Sequence, residues 1–169
     1  MKTQLIIFLM LILLSITSCQ RYGNIHSVTD PRFSSVKYQK ICVEIEDFDL
    51  STSIEFELDV VDYLAEFDCS AASSAKLMPP TRKWSDENKR QFLMQNGFDG
   101  YLVFIRTSTD ISLRYDHKYI VKYDCILFDV DSGEKAWLLE LTFMTKYPDQ
   151  PPNIEIGDVI VALENEGRI

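Results

Sequence analysis

Residues 119–145, YIVKYDCILFDVDSGEKAWLLELTFMT, constrain this chain more than any other stretch. Val121, Tyr123, Cys125 and Leu127, and then Trp137, Leu139, Leu141 and Phe143, fall at every second position, with Lys122, Asp124, Glu140 and Thr142 between them. A period of two places each apolar set on one face of a pleated sheet. Asp131-Ser132-Gly133 supplies turn chemistry between the runs, which predicts an antiparallel hairpin with one face turned to helices and the other open.

The remaining elements follow from similar signals. ICVEIE (41–46) alternates as a strand, and the Ser51, Thr52, Ser53 cluster offers a cap for a helix ending near Phe67. On that helix the apolar residues form a broad arc, while Glu55, Asp59, Asp62 and Glu66 share the opposite strip. Glu57 falls inside the arc, where burial would raise its pKa. The preferred reading is an anion near the helix start whose stem reaches water. DCSAASSAKLM reads as a weak strand before a loop at Pro79 and Pro80. Ser85 caps a second helix with Asp86 and Glu87 in its first turn, and Asn96-Gly97 stops it. YLVFIRT is a further strand, and after Pro148, Pro151 and Pro152 a last helix runs from about Ile156 to Glu166, ended by Gly167. The predicted order, β-α-β-α-β-β-β-α, specifies an α/β (α+β) fold. It is a two-layer sandwich with a mixed five-stranded sheet and helices on one face.

Parity assigns Ile41, Val43 and Ile45 and also Tyr101, Val103 and Ile105 to the helix-covered face, together with the two hairpin sets. Glu44, Glu46, Arg106, Lys122, Asp124 and Glu140 then decorate an open face, held partly by cross-strand ion pairs. Cys42 and Cys125 differ in parity, so a disulfide, if one forms, joins Cys42 to Cys69.

The N-terminus begins MKTQLIIFLMLILLSITSC, with Lys2, an apolar core from Leu5 to Leu14 and a Ser/Thr-rich approach to Cys19. Its apolar core is shorter than the roughly 20 residues a spanning helix needs, so it reads as a cleavable export signal covering residues 1–18. Ile16-Thr17-Ser18-Cys19 resembles the lipobox of bacterial lipoproteins. The resemblance implies a Cys19 carrying acyl chains such as palmitate, and Gln20 rather than Asp in the next position implies outer-membrane residence; the domain is expected to face the periplasm. Residues 19–36, broken by Gly23 and Pro31, are expected to form the lipidated Cys and a tether reaching up to roughly 55 Å, followed by a single domain over 37–169.

Loss of Lys2 with the signal leaves 16 basic against 26 acidic residues, a net charge of −10. Such a balance disfavours nucleic acid as a partner. Two histidines, His26 and His117, and no Cys-x-x-Cys argue against zinc, and no cofactor motif is present. Asp129-Val-Asp131-Ser-Gly133 has only the opening spacing of a calcium loop and sits where the hairpin turns. No Gly-x-Ser-x-Gly occurs, so the expectation is a protein that is not an enzyme, with no catalytic residue and no metal site.

YDCILFDVDSGEKAWLLEL, with KICVEIEDF, GFDGYLVF and DVIVALENEG in the same order, resembles the periplasmic α/β domain of the TolB N-terminal region and of CsgG-type and LpoB-type lipoproteins. This implies a non-enzymatic binding or scaffolding component of the cell envelope. Its protein partner would meet the open-face charges or the acidic strip Glu55, Asp59, Asp62 and Glu66. The alternative is a peptidoglycan- or polysaccharide-directed glycan-binding module or enzyme, using Glu57 with Trp84 or Trp137. A third reading is a subunit that self-assembles through a sheet edge.

Overall fold

A computed structural model of the protein describes residues 23–46, 48–78, 81–111, 118–152 and 156–169. The signal segment, Cys19, Gln20, the Pro79-Pro80 loop and His117 lie outside the described residues. The elements are β1 (Gly23–Thr29), a single 3-10 turn (Pro31–Phe33), β2 (Lys40–Ile45), α1 (Leu50–Ala65), β3 (Ser70–Ser73), α2 (Ser74–Leu77), α3 (Asp86–Gln95), β4 (Gly100–Ile111), β5 (Tyr119–Asp129), β6 (Lys135–Thr145) and α4 (Ile156–Asn165). They build one mixed sheet of six strands in the order β1-β6-β5-β4-β2-β3, not five.

The expected hairpin is present. Val121 lies opposite Phe143 and Leu127 opposite Trp137, and the turn closes with Gly133 at φ 74°. That φ is one a side chain rarely adopts, which explains glycine at this point of the turn. β2 runs parallel to both β3 and β4, linked through α1 and α3. At the start of β4, Gly100 lets the strand close on its neighbours: a Cβ there would stand 3.0 Å from Ile41 Cγ1 and 3.1 Å from Tyr38 Cδ1.

The sixth strand is the largest departure from the expected organisation. β1, in the segment read as tether, pairs antiparallel with β6 from Gly23 opposite Phe143 to Thr29 opposite Trp137. Phe33 follows it into the core at 8% exposure. Two side chains near the end of α4 fix this segment. The Arg168 guanidinium, itself buried, donates to the Phe33 and Ser34 carbonyls, and the Glu166 carboxylate accepts from the Ser27 and Thr29 hydroxyls. Polar composition and the breaks at Gly23 and Pro31 hid a strand whose partner lies more than a hundred residues away.

Helices cover both faces rather than one. On the first face α1 and α4 bury Ile41, Val43, Val121, Tyr123, Leu127, Trp137 and Leu139, with Phe56 edge-on to Phe104 at 5.0 Å between ring centroids. On the second, α3 packs Leu93 against Cys42, Met78, Phe98 and Val130. β4 is therefore apolar on both sides. Pairing of Val43 with Leu102 and of Ile45 with Phe104 turns Leu102 and Phe104 to the first face, and Tyr101, Val103 and Ile105 to the second. YLVFI has no charged residue to reveal its phase, so alternation alone reads its parity the wrong way round.

Asp49, not the Ser/Thr cluster, caps α1: its carboxylate accepts from the Ser51 and Thr52 amides at 3.0 and 3.2 Å and from both hydroxyls. These bonds hold its pKa well below the usual carboxylate range. Cys42, Cys69 and Cys125 are free and buried. No Cys42–Cys69 disulfide forms, because Cys42 faces α3 while Cys69 packs into the core of the other face.

Candidate functional site

Because α3 crosses only part of the second face, it leaves a groove of about 510 Å³ beside it. Tyr101, Val103, Ile105 and Phe128 contribute apolar surface from the sheet, and Asp86, Glu87, Lys89 and Arg90 line the helix side. Ser85 starts α3 by accepting from the Asn88 amide at 3.2 Å, and Trp84, just before it, packs against Phe92 with centroids 5.3 Å apart. Those contacts fix the helix, and Arg90 fixes the far wall: its Nη1 donates to the Asp131 carbonyl at 2.9 Å across the hairpin turn.

At the inner end of the groove a polar cluster joins strand to helix. Lys89 Nζ lies 2.7 Å from Glu44 Oε1, with the two side chains 21% and 18% exposed. The Tyr101 hydroxyl and Ser74 Oγ also donate to Glu44. Burial, reinforced by the Glu44 charge, pushes the Tyr101 phenol far above its ordinary pKa, so it stays a donor at any physiological pH. The cluster fixes a lysine–carboxylate pair and a phenol, satisfied among themselves, at the edge of the groove, while the apolar strand residues supply contact area.

Glu57 behaves differently from its preferred sequence reading. It is 1% exposed rather than reaching water. Its carboxylate accepts from the Ile45 amide at 3.2 Å, Ser73 Oγ at 2.6 Å and the Ala75 amide at 2.9 Å, tying α1 to β2, β3 and the first turn of α2. Burial raises its pKa in spite of those three donors. It does not line the groove. Neither does either tryptophan: Trp137 is in the core of the first face and Trp84 lies half-buried behind α3. The residues named for a glycan site therefore do not converge.

Among the open-face residues, Glu44, Glu46, Lys122, Asp124 and Glu140 share the second face, whereas Arg106 does not. Arg106 lies opposite Tyr123 beside a register shift, stacks over Phe48 at 5.3 Å and donates to the Pro148 carbonyl. The expected cross-strand ion pairs are replaced in one row by like charges: Asp124 stands directly opposite Glu140, and burial together with that neighbour raises its pKa. Glu55, Asp59, Asp62 and Glu66 are exposed along α1, away from the groove. Sequence reasoning missed Lys89, Arg90 and Phe128. The available signal was the dense charge of DENKR in a helix with few apolar residues, which marks a helix only partly sunk into the sheet. Among the described residues no group of three or more His, Cys, Asp or Glu side chains is placed to hold a metal.

No protein-family model matches the sequence, and no curated protein matches it. Solved structures do. A PelC dodecamer from Paraburkholderia phytofirmans aligns over 87% of this chain and 99% of its own with a TM-score of 0.52 at 12% identity. Lipoprotein GNA1162 from Neisseria meningitidis aligns over 75% and 96% with a TM-score of 0.47 at 15% identity. The likeness to PelC establishes a shared fold.

Proposed function

We propose that the protein is a lipid-anchored, non-enzymatic binding component of the bacterial cell envelope that docks a protein partner in the groove beside α3. The groove carries this reading: apolar strand residues, aromatic Tyr101 and Phe128, and a rim of both charge signs suit a protein segment better than a small charged solute. The export leader ending at Cys19, with its likeness to a lipobox, supports the envelope location and acylation, and Gln20 supports the outer membrane. The resemblance of the strand and turn motifs to TolB, CsgG-type and LpoB-type domains is in keeping with a scaffolding role.

In-cell cross-linking through a photoreactive residue at Ile105 tests this reading. The expected result is one discrete envelope adduct that disappears when Lys89 is changed to Glu. No adduct from Ile105, with adducts from the α1 strip at Asp59 instead, overturns the groove assignment in favour of the acidic helix.

A specific observation favours a second reading, self-assembly. β1 is an edge strand, with Ile25 44% and Val28 52% exposed, and it contains no Lys or Pro to discourage pairing. The neighbour PelC is a dodecamer. Light scattering on the purified protein separates the cases, since a monomer at micromolar concentration removes this reading.

A further inference from the structure

We propose that the end of the sheet carrying Ile111 and Tyr147 rests in the headgroup layer of the membrane, making the domain a surface-docked body rather than one held off on a tether. The inference rests on acylation of Cys19. Capture of β1 by β6 shortens the stretch between anchor and domain: three residues, 20–22, lie between Cys19 and Gly23, where the described strand begins. Four peptide steps span at most about 14 Å.

The register shows what lies at that end. Gly23 is level with Phe143, Val121 and Thr109 across the sheet. Two residues further in the direction of Cys19, Thr145, Tyr119 and Ile111 form the next row on the same face, about 7 Å on. An acylated Cys19 therefore stands no more than roughly 7 Å beyond the row of Ile111 along the strand direction, which is comparable to the depth at which interfacial side chains settle. At this end lie the two most exposed large apolar side chains among the described residues, Ile111 at 71% and Tyr147 at 64%. Tyr147 is positioned by its amide, which donates to Thr145 Oγ1 at 3.0 Å.

Their chemistry suits a lipid surface. An isoleucine side chain gains from leaving water, and a tyrosine places an apolar ring with a polar tip at headgroup level. Lys146, exposed beside Tyr147, can extend its stem toward phosphate. The chain is acidic overall, so the contact draws on apolar insertion and the acyl anchor rather than on charge. Among the described residues no helix is long and apolar enough to cross a membrane. The opposite end of the sheet, at the hairpin turn with Ser132, is ten residues from the row of Ile111, about 33 Å away.

Depth-dependent quenching tests the proposal. The full-length lipidated protein, extracted from membranes, carries an environment-sensitive fluorophore on Ile111→Cys, Tyr147→Cys or, as a control, Ser132→Cys. It is reconstituted in phosphatidylethanolamine/phosphatidylglycerol vesicles with or without lipid quenchers. Cys42, Cys69 and Cys125 are buried and escape labelling in the folded protein. The expected result is at least about twofold quenching at positions 111 and 147 and none at 132, as insertion of about 5–10 Å requires. Protein that floats with the vesicles but shows no quenching at 111 and 147, or equal quenching at 132, overturns the docked orientation while leaving acylation intact. Protein that does not float overturns acylation and this inference with it.

Discussion

The two faces of the sheet use similar apolar residues for different ends. On the first, α1 and α4 leave Ile41, Leu102, Phe104, Tyr123, Leu127 and Leu139 fully enclosed, and Tyr123 stacks on Phe143 at 6.0 Å. On the second, one ten-residue helix with little apolar surface covers a corner, and Tyr101, Ile105 and Phe128 stay partly exposed beside charged side chains. The first face holds the domain together, and the second is left shaped but incompletely closed. Coverage, rather than composition, separates a core from a binding surface here.

Substitution on the two sides of one strand gives the largest contrast. Phe104→Ala is expected to cost about 3–5 kcal/mol, with a cooperative fall in denaturation midpoint. Ile105→Ala, one residue on and half-exposed, should cost about 1 kcal/mol or less in the same titration. Equal losses would mean that the groove face is as much a core as the other. Next, Glu57→Ala leaves the Ile45 and Ala75 amides and the Ser73 hydroxyl without their acceptor. About 3 kcal/mol is expected, measured by urea unfolding.

Arg168→Ala is expected to cost about 2 kcal/mol, because it removes buried bonds from a charged donor to the Phe33 and Ser34 carbonyls. Hydrogen exchange should quicken first in β1 and the 3-10 turn, sparing α1. Lys89→Met is the smallest change, about 1 kcal/mol or less, since its pair with Glu44 is partly solvated. It should nonetheless weaken cross-linking from the groove, which would separate a recognition role from a stabilising one.

Titration sharpens the same contrast. The folded-state pKa of Glu57 is raised, so the folded protein holds a proton that the unfolded chain releases once pH exceeds the ordinary carboxylate range. The stability linked to that proton is present in acid and is lost as pH rises through the raised value. The stability of wild type measured relative to Glu57→Gln should therefore fall as pH rises from acid toward neutrality in parallel denaturation curves. Wild-type stability that instead rises relative to Glu57→Gln with pH would mean that the three donors, not burial, control this carboxylate.

Legibility followed the spacing of polar residues. β5, β6 and β2 alternate, so their inward faces were readable, and Ser85, Gly97 and Gly167 marked helix ends through local chemistry that needs no distant partner. β4 was found but its phase was not, because YLVFI is apolar throughout. β1 was missed altogether, since a short polar segment becomes a strand only when an edge far along the chain receives it. The groove lay beyond sequence reading for a related reason. Glu44 and Glu46 were assigned to the right face, but Lys89 and Arg90 reach it only through the way α3 crosses the sheet. Glu57 was visible as an anomaly, and its three donors come from separate elements that only folding brings together.

The clasp of β1 by Arg168 and Glu166 also bears on the order of assembly. The first strand pairs with residues 137–143 and is secured by residues 166 and 168, so its contacts are among the least local in the domain. Contacts of that range form late, after the intervening loop has been closed by other structure. β1 is therefore expected to be the last strand to zip up. In a chain already acylated at Cys19, that zipping would haul a nearly finished domain down onto the bilayer, so that completing the fold and landing on the surface become one event.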